Sequence, residues 1–134
     1  MRKIKTFFIV AIVLLSAVKA VSAEQPKREF RSVWIATVAN IDWPKTKGTS
    51  ASVVNSQKSS LIAYLDRMQE MNLTTICFQV RSMCDAMYKS SYEPWSSYLT
   101  GTRGVDPGWD PLAFAVEECH KRGLTCHGWI NPYR

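Results

Sequence analysis

The apolar residues of this chain gather in short runs that are rich in β-branched and aromatic side chains. Runs of this kind predict β-strands, and three of them lie over residues 31–38, 74–80 and 124–130. The second run is apolar without alternation, as expected of a parallel strand that is covered on both faces.

Two stretches between these runs have helical spacing. Residues 56–71 repeat apolar side chains on one face and predict a helix that ends at Asn72, a residue that tolerates the left-handed conformation. A second helix is predicted after Asp110, because Asp110 is a good N-cap, Pro111 suits the first helical position and Gly123 closes the helix. The predicted order is β-α-β-α-β, an α/β fold.

Long loops follow the first two predicted strands, over residues 39–54 and 81–109, whereas each helix returns to the next strand within about two residues. In parallel α/β folds the carboxyl ends of the strands carry the functional sites. We therefore expect function on these two loops. Neither loop contains the glycine-rich turn of a dinucleotide fold or the Gly-Lys-Ser/Thr ending of a phosphate loop.

Both loops contain aromatic residues, and polar residues lie at the strand ends. An aromatic ring stacks on the apolar face of a sugar while polar side chains bind its hydroxyls. The alternative is that the rings form a small core for the loop itself. The candidate sugar-binding residues are Asn40, Asp42, Trp43, Gln79, Arg81, Asp85, Tyr88, Trp95, Asn131, Tyr133 and Arg134.

Residues 1–23 have the pattern of a secretory signal, with a basic start, an apolar run over residues 7–18 and a small-x-small ending. Cleavage after Ala23 is predicted, which would make the protein secreted or periplasmic. An uncleaved anchor is the alternative, but the run is shorter than the roughly 20 residues of a membrane span and Lys19 follows it. We expect no stable span after cleavage.

Charge bears on the class of partner. Cleavage after Ala23 would remove four basic residues and no acidic one, so the formal net charge would fall from +6 to +2. A nearly balanced surface lacks the basic patch that nucleic acid requires. Nucleic acid is therefore not an expected partner.

The four cysteines allow disulfides in an oxidising compartment. Because Cys77 and Cys126 lie in predicted strands and Cys119 lies on an apolar helix face, we expect buried thiols, with a Cys77–Cys126 disulfide as the alternative. A Cys-His pair occurs twice, at His120 and at His127, but four convergent ligands are not expected from a helix and a strand. We expect no metal site and no cofactor.

Six segments, taken in order, carry a family resemblance. They are RSVWIATVANIDWP over residues 31–44, FQVR over 78–81, DAMY over 85–88, EPWSSYLTG over 93–101, PGWDPLAF over 107–114 and WINPYR over 129–134. Together they resemble the glycosyl hydrolase-like 10 family of bacterial envelope proteins. The resemblance implies a (β/α)8 TIM barrel that hydrolyses O-glycosidic bonds of glycan chains outside the cytoplasm, with cell-wall glycan as a candidate substrate.

A complete barrel of this type needs about 250 residues and eight strands. Residues 24–134 comprise 111 residues and only three predicted strands with two helices. We therefore expect the N-terminal part of a glycosyl hydrolase-like barrel domain, inactive by itself, with one sheet edge bare and one sheet face uncovered.

Glycoside hydrolysis requires two carboxyl groups, one as acid and one as nucleophile or base. Asp42 and Asp85 are the local candidates, although the resemblance implies that the catalytic pair comes from later strands. We expect Asp42 and Asp85 to orient sugar hydroxyls, and Arg81 and Arg134 to position the carboxylates. In the alternative interpretation Asp42 caps its loop and Asp85 pairs with Arg81 structurally.

A function of a different class also fits these features, namely a non-catalytic extracytoplasmic carbohydrate-binding or interaction module. The two functions differ in whether further β/α units complete the barrel.

Overall fold

The computed structural model describes residues 29–133, so the predicted signal sequence and Arg134 lie outside the described residues. The three strands are β1 (Ser32–Ile35), β2 (Thr75–Arg81) and β3 (Thr125–Ile130). The helices are α1 (Ala51–Glu70), α2 (Ser97–Thr100) and α3 (Pro111–Lys121), with a short 3₁₀ turn over Val38–Asn40. The strands form one parallel sheet in the order β1-β2-β3. The predicted α/β class and the order of the predicted elements are confirmed.

Local capping explains where α3 begins and where both long helices end. Asp110 caps α3 by accepting a hydrogen bond from the backbone N–H of Ala113 (2.9 Å), and Pro111 is the first helical residue. Asn72 and Gly123 both have positive φ, 55° and 68°, directly after α1 and α3. All of these features were expected from the sequence.

The first turn of α1 was wrongly assigned to the preceding loop. The helix begins at Ala51 because Ser50 caps it, its side chain accepting from the N–H of Val53 (3.4 Å). The residues of this turn, ASVV, are exposed or half-buried, and they follow directly on a stretch rich in Lys, Thr, Gly and Ser that predicted a loop. The short helix α2 was also missed; it is a single turn within the long loop after β2, capped by Ser96.

The sheet has two unlike faces. The in-register residues Ile35 and Phe78 are buried, and they pack with Leu61, Leu65 and Ala115 of the two long helices. The opposite face carries Trp34, Cys77 and His127 in register, and Trp34 is 58% exposed. Within the described residues the helices cover only one face, as the sequence predicted.

The thiols of Cys77 and Cys126 do not form the alternative disulfide. Cys126 is in register with Ile76 and faces the helices, whereas Cys77 is on the opposite face. Cys126 instead lies beside Cys119 of α3. Their hydrogen bond, together with burial, raises the pKa of the Cys119 thiol, and the same bond lowers the pKa of Cys126.

Within residues 29–133 no helix is both long enough and apolar enough to span a membrane.

A charged network joins the two long helices. Glu118 accepts hydrogen bonds from Lys121 and Arg122, both at 2.7 Å, and Arg122 also binds Asp66 of α1 (2.6 Å). The hydrogen bonds from Lys121 and Arg122 lower the pKa of the Glu118 carboxyl below its usual value of 4.5. The stabilisation that the charged Glu118 carboxylate provides is therefore present above pH 4.5. It is lost as the pH falls through the pKa of Glu118 in the folded state, which lies below 4.5.

We expect Glu118→Gln to lower the free energy of unfolding by about 1 kcal/mol at pH 7 and by less at pH 3, because protonation of Glu118 at acidic pH removes the charge that Gln lacks. Urea unfolding of both proteins at the two pH values measures this difference. Glu117→Gln is the matched control, because Glu117 is 64% exposed and its ion pair within residues 29–133 is with Lys121. An equal loss at both pH values for Glu118→Gln would contradict the role of its charge.

Candidate functional site

The carboxyl ends of the three parallel strands lie at one edge of the sheet, and a polar cluster joins the ends of β2 and β3 there. Arg81 at the end of β2 donates from Nε to Oε1 of Glu93 (2.5 Å), and its Nη2 forms an ion pair with the same oxygen (2.5 Å). Its Nη1 donates to the backbone oxygen of Asn131. The side chains of Arg81 and Glu93 are 16% and 20% exposed. Their hydrogen bond raises the pKa of the Arg81 guanidinium, so it stays charged throughout the physiological range.

Asn131 follows β3 and completes the cluster. Its side chain accepts from the indole N–H of Trp129 (2.9 Å) and donates to the backbone oxygen of Ser82 (3.2 Å). Its own backbone N–H donates to the oxygen of Arg81 (3.0 Å). These bonds fix the ends of β2 and β3 relative to each other. We call Arg81, Glu93, Trp129 and Asn131 the strand-end cluster.

Asp85 lies next to the strand-end cluster but is held within its own turn. Its Oδ1 accepts from the backbone N–H groups of Ser82 (3.2 Å) and Met83 (2.8 Å) and from the Ser82 hydroxyl (3.0 Å). The residue is 4% exposed. Asp85 therefore shapes the turn after β2, and the alternative in which it pairs with Arg81 is corrected, since the partner of Arg81 is Glu93.

Asp42 has a comparable role after β1. Its Oδ2 accepts from the backbone N–H of Ala36 (2.7 Å), and its own N–H donates to the oxygen of Ala36 (3.0 Å). The hydroxyl of Tyr64 binds the backbone oxygen of Asp42 (3.2 Å). This geometry is the loop cap that the sequence offered as an alternative to sugar binding.

Gln79 and Asn40 connect the strand ends to the first loop. The Oε1 of Gln79 accepts from the N–H groups of Thr37 (2.9 Å) and Val38 (2.8 Å), and Asn40 donates to the backbone oxygens of Pro44 (2.6 Å) and Tyr98 (2.8 Å). Each side chain keeps one buried polar atom without a partner among the described residues, Nε2 of Gln79 and Oδ1 of Asn40. Burial of an unpartnered polar atom is unfavourable, so a further polar group at either position would be stabilising.

Trp43 does not line a surface. Its side chain is fully buried, its indole N–H donates to the backbone oxygen of Gln57 (3.0 Å), and its ring meets Phe78 edge-on at 5.6 Å between centroids. A sugar cannot reach this ring. We therefore remove Trp43 from the candidate binding set, and for this residue the loop-core interpretation applies.

The other aromatic candidates differ in exposure. Tyr88 and Trp95 are half-buried against the core, whereas Tyr133 is 99% exposed after β3. Arg134 lies outside the described residues. Of the aromatic candidates, Trp95 lines a cavity and Tyr133 lies on the open surface.

The repeated Cys-His pairs do not converge. Cys119 is buried while His120 is exposed, and His127 faces away from Cys126 across the sheet. Among residues 29–133 there is no group of three or more His, Cys, Asp or Glu side chains that could hold a metal ion.

Sequence reasoning missed two members of the strand-end cluster, Glu93 and Trp129. The signal for Glu93 was available, since it is the sole charged residue over residues 90–102 and it lies in a loop predicted to carry function. Trp129 follows Gly128 on β3, and the side chains of neighbouring strand residues point to opposite faces of the sheet. The Trp129 ring packs edge-on against Trp34 on the uncovered sheet face, with centroids 4.8 Å apart.

Comparison with known families decides the classification. The family described as glycosyl hydrolase-like 10 matches residues 29–132. The chain belongs to this family. It is similar to the glycosyl hydrolase YngK of Bacillus subtilis, with 48% identity over 95% of this chain and 25% of the relative. It is also similar to the glycosyl hydrolase DigH of Escherichia coli, with 38% identity over 84% of this chain and 27% of the relative.

This glycosyl hydrolase-like 10 chain spans about a quarter of the length of the curated relatives that it matches. The matched residues include the whole of the sheet, the three helices and the strand-end cluster.

Proposed function

We propose that residues 24–134 form the N-terminal part of a (β/α)8 barrel domain that hydrolyses O-glycosidic bonds in glycans outside the cytoplasm. Family membership and the names of the relatives support a hydrolase of this class. The parallel sheet supports the barrel, because helices cover one face and the residues of the other face would point to the barrel axis.

The observation that carries the proposal is the strand-end cluster. It lies at the carboxyl edge of the sheet, where barrel enzymes build their active sites, and its charged groups are partly exposed. Arg81 is held by Glu93 and by Asn131, so its guanidinium is oriented before any ligand arrives. In this proposal Arg81 and Asn131 bind sugar oxygens and position carboxylates that further strands contribute.

Asp42 and Asp85 take supporting roles in the proposed site. Each uses a carboxylate oxygen to fix backbone N–H groups of the loop that follows its strand. The loops in turn hold Gln79 and the strand-end cluster in place. The acid and the nucleophile or base of the reaction are therefore assigned to carboxyl groups of the remaining β/α units.

We also propose export through a signal cleaved after Ala23, on the sequence pattern of residues 1–23. Mass spectrometry of protein secreted or released from the periplasm tests the site. A mature N-terminus at Glu24 is expected, and a cell-retained protein that begins at Met1 would contradict it.

A chimera tests the hydrolase proposal. Residues 29–132 replace the matched segment of the Bacillus subtilis relative, with which the chain is 48% identical. We expect the chimera to release reducing ends from glycan strands at a rate within about tenfold of the unmodified relative. A loss of transition-state stabilisation below about 1.4 kcal/mol lowers a rate by less than tenfold.

The second candidate class, a carbohydrate-binding or interaction module, predicts a different result for the chimera. A folded chimera that binds glycan strands without releasing reducing ends, beside an active unmodified relative, would contradict the hydrolase proposal. Thermal unfolding of both proteins shows whether the chimera is folded.

A further inference from the structure

A cavity of about 330 Å³ lies between the loop that follows Tyr88 and the turn that precedes α3. Its lining residues are Lys89, Trp95, Asp106, Gly108, Trp109 and Asp110. None of them belongs to the strand-end cluster. The cavity is therefore a separate place on the molecule at which a ligand could bind.

Backbone hydrogen bonds hold the walls of this cavity in place. Asp110 links them, since one carboxylate oxygen caps α3 and the other accepts from the backbone N–H of Lys89 (3.0 Å). Asp106 accepts from the N–H of Gly108 (2.7 Å), and the backbone oxygen of Trp95 accepts from Gly104 (2.8 Å). A cavity fixed in this way loses little conformational entropy when it binds a ligand.

The lining combines aromatic and charged groups. Trp95 is half-buried, and Trp109 is fixed edge-on against Phe114 at 5.6 Å between centroids. The indole nitrogen of Trp109 is buried and has no acceptor among the described residues, and within them Lys89 forms no ion pair. Asp106 is exposed. The cavity thus offers an aromatic surface beside an ammonium donor and a carboxylate acceptor.

This combination matches the chemistry of a pyranose ring. The C–H face of a sugar is apolar and stacks on an indole, while its hydroxyls both donate and accept hydrogen bonds. A ligand that is only apolar would leave Lys89 and Asp106 desolvated at its edge. A simple anion would face the two carboxylates of Asp106 and Asp110. The volume is near the lower end of the range for small-molecule sites and suits one sugar unit.

We propose that this cavity is a second carbohydrate site, which holds one pyranose unit of a glycan outside the strand-end cluster. Trp95 stacks on the ring, and Asp106 and Lys89 bind hydroxyls. The choice of a glycan as ligand rests on the proposed function. Because one sugar unit makes few contacts, the site binds weakly and acts by retaining a longer chain near the strand ends.

The test is an NMR titration of the full chain with the β-1,4-linked tetramer of N-acetylglucosamine. We expect saturable shifts of the indole N–H signals of Trp95 and Trp109, with a Kd on the order of 1 mM. Trp95→Ala and Asp106→Asn should each weaken binding at least tenfold. Asp106→Asn keeps an acceptor for Gly108, so it isolates the charge without disturbing the turn.

Tyr92→Ala is the matched control, because Tyr92 lies in the same loop, is 97% exposed and does not line the cavity. Its affinity for the tetramer should equal that of the unmodified chain. The inference is overturned if the tetramer causes no saturable shift, or if Arg81→Met abolishes binding while Trp95→Ala and Asp106→Asn do not.

The outcome of this titration can be told apart from that of the chimera test. Binding that depends on Trp95 in the chain, together with a folded but inactive chimera beside an active unmodified relative, would remove the hydrolase proposal and retain the carbohydrate site. An active chimera, together with no binding in this cavity, would retain the hydrolase proposal and remove the carbohydrate site.

Discussion

Trp43→Ala is expected to lower the free energy of unfolding by about 3–5 kcal/mol. The Trp43 ring is fully buried, packs edge-on against Phe78 and Trp109, and donates its indole N–H to the backbone oxygen of Gln57 (3.0 Å). The substitution leaves a large cavity and an unpartnered carbonyl. Since domains are stable by only about 5–15 kcal/mol, the loss is a large part of the total.

The effect of Trp43→Ala is expected to extend to the first loop, because Gln57, the partner of Trp43, also binds that loop. The Gln57 side chain is buried and donates to the backbone oxygens of Thr46 (2.8 Å) and Leu99 (2.9 Å). Trp43 therefore joins α1 to the loop after β1, and Gln57 joins α1 to both long loops. Loss of the ring should loosen both loops, as well as the hydrophobic core.

Urea unfolding followed by circular dichroism measures the effect of Trp43→Ala. Trp34→Ala is the matched control, since Trp34 is also a tryptophan but is 58% exposed on the uncovered face of the sheet. Its substitution should cost less than about 1.5 kcal/mol, because most of the ring is already in water. Similar losses for the two variants would contradict the assignment of Trp43 to the core.

The second large effect concerns catalysis. In the chimera, Arg81→Met is expected to lower kcat/KM about 100-fold, equivalent to about 2.7 kcal/mol of transition-state stabilisation. Arg81 contributes the fixed positive charge of the strand-end cluster, and Met keeps a side chain of similar length without that charge. Glu93→Gln should have a smaller effect of about tenfold, because Asn131 still holds the guanidinium.

The control for the Arg81 substitution is Arg67→Met. Arg67 pairs with Glu70 on the surface of α1, with side chains that are 70% and 65% exposed, so its removal should change kcat/KM by less than twofold. Thermal unfolding of each variant separates a lost contact from a lost fold. A full rate for Arg81→Met in a folded chimera would exclude Arg81 from the site.

Much of the fold could be predicted because its signals are local. Asp110, Asn72 and Gly123 fix the ends of helices through their own dihedral angles and through bonds to neighbours within three residues. The start of α1 was placed too late because its cap, Ser50, lies in a polar stretch without apolar spacing. Strand pairing followed from the order of the elements.

The candidate site was harder to predict, because its contacts join residues that are far apart in the chain. Trp43 is an aromatic loop residue of the kind that stacks on sugars, yet it is buried against Phe78 and Gln57. The partner of Arg81 is Glu93, which is 12 residues away in an irregular loop where no period relates the two. The cap formed by Asp42 was within reach of local reasoning.

The most direct test of the central claim is a crystal structure of the folded chimera bound to a non-hydrolysable analogue of a glycan oligosaccharide. We predict a sugar unit over the carboxyl edge of the sheet, with an oxygen within about 3.2 Å of the Arg81 guanidinium or the Asn131 amide. An oligosaccharide bound elsewhere, with the strand-end cluster covered by other parts of the chimera, would contradict the account.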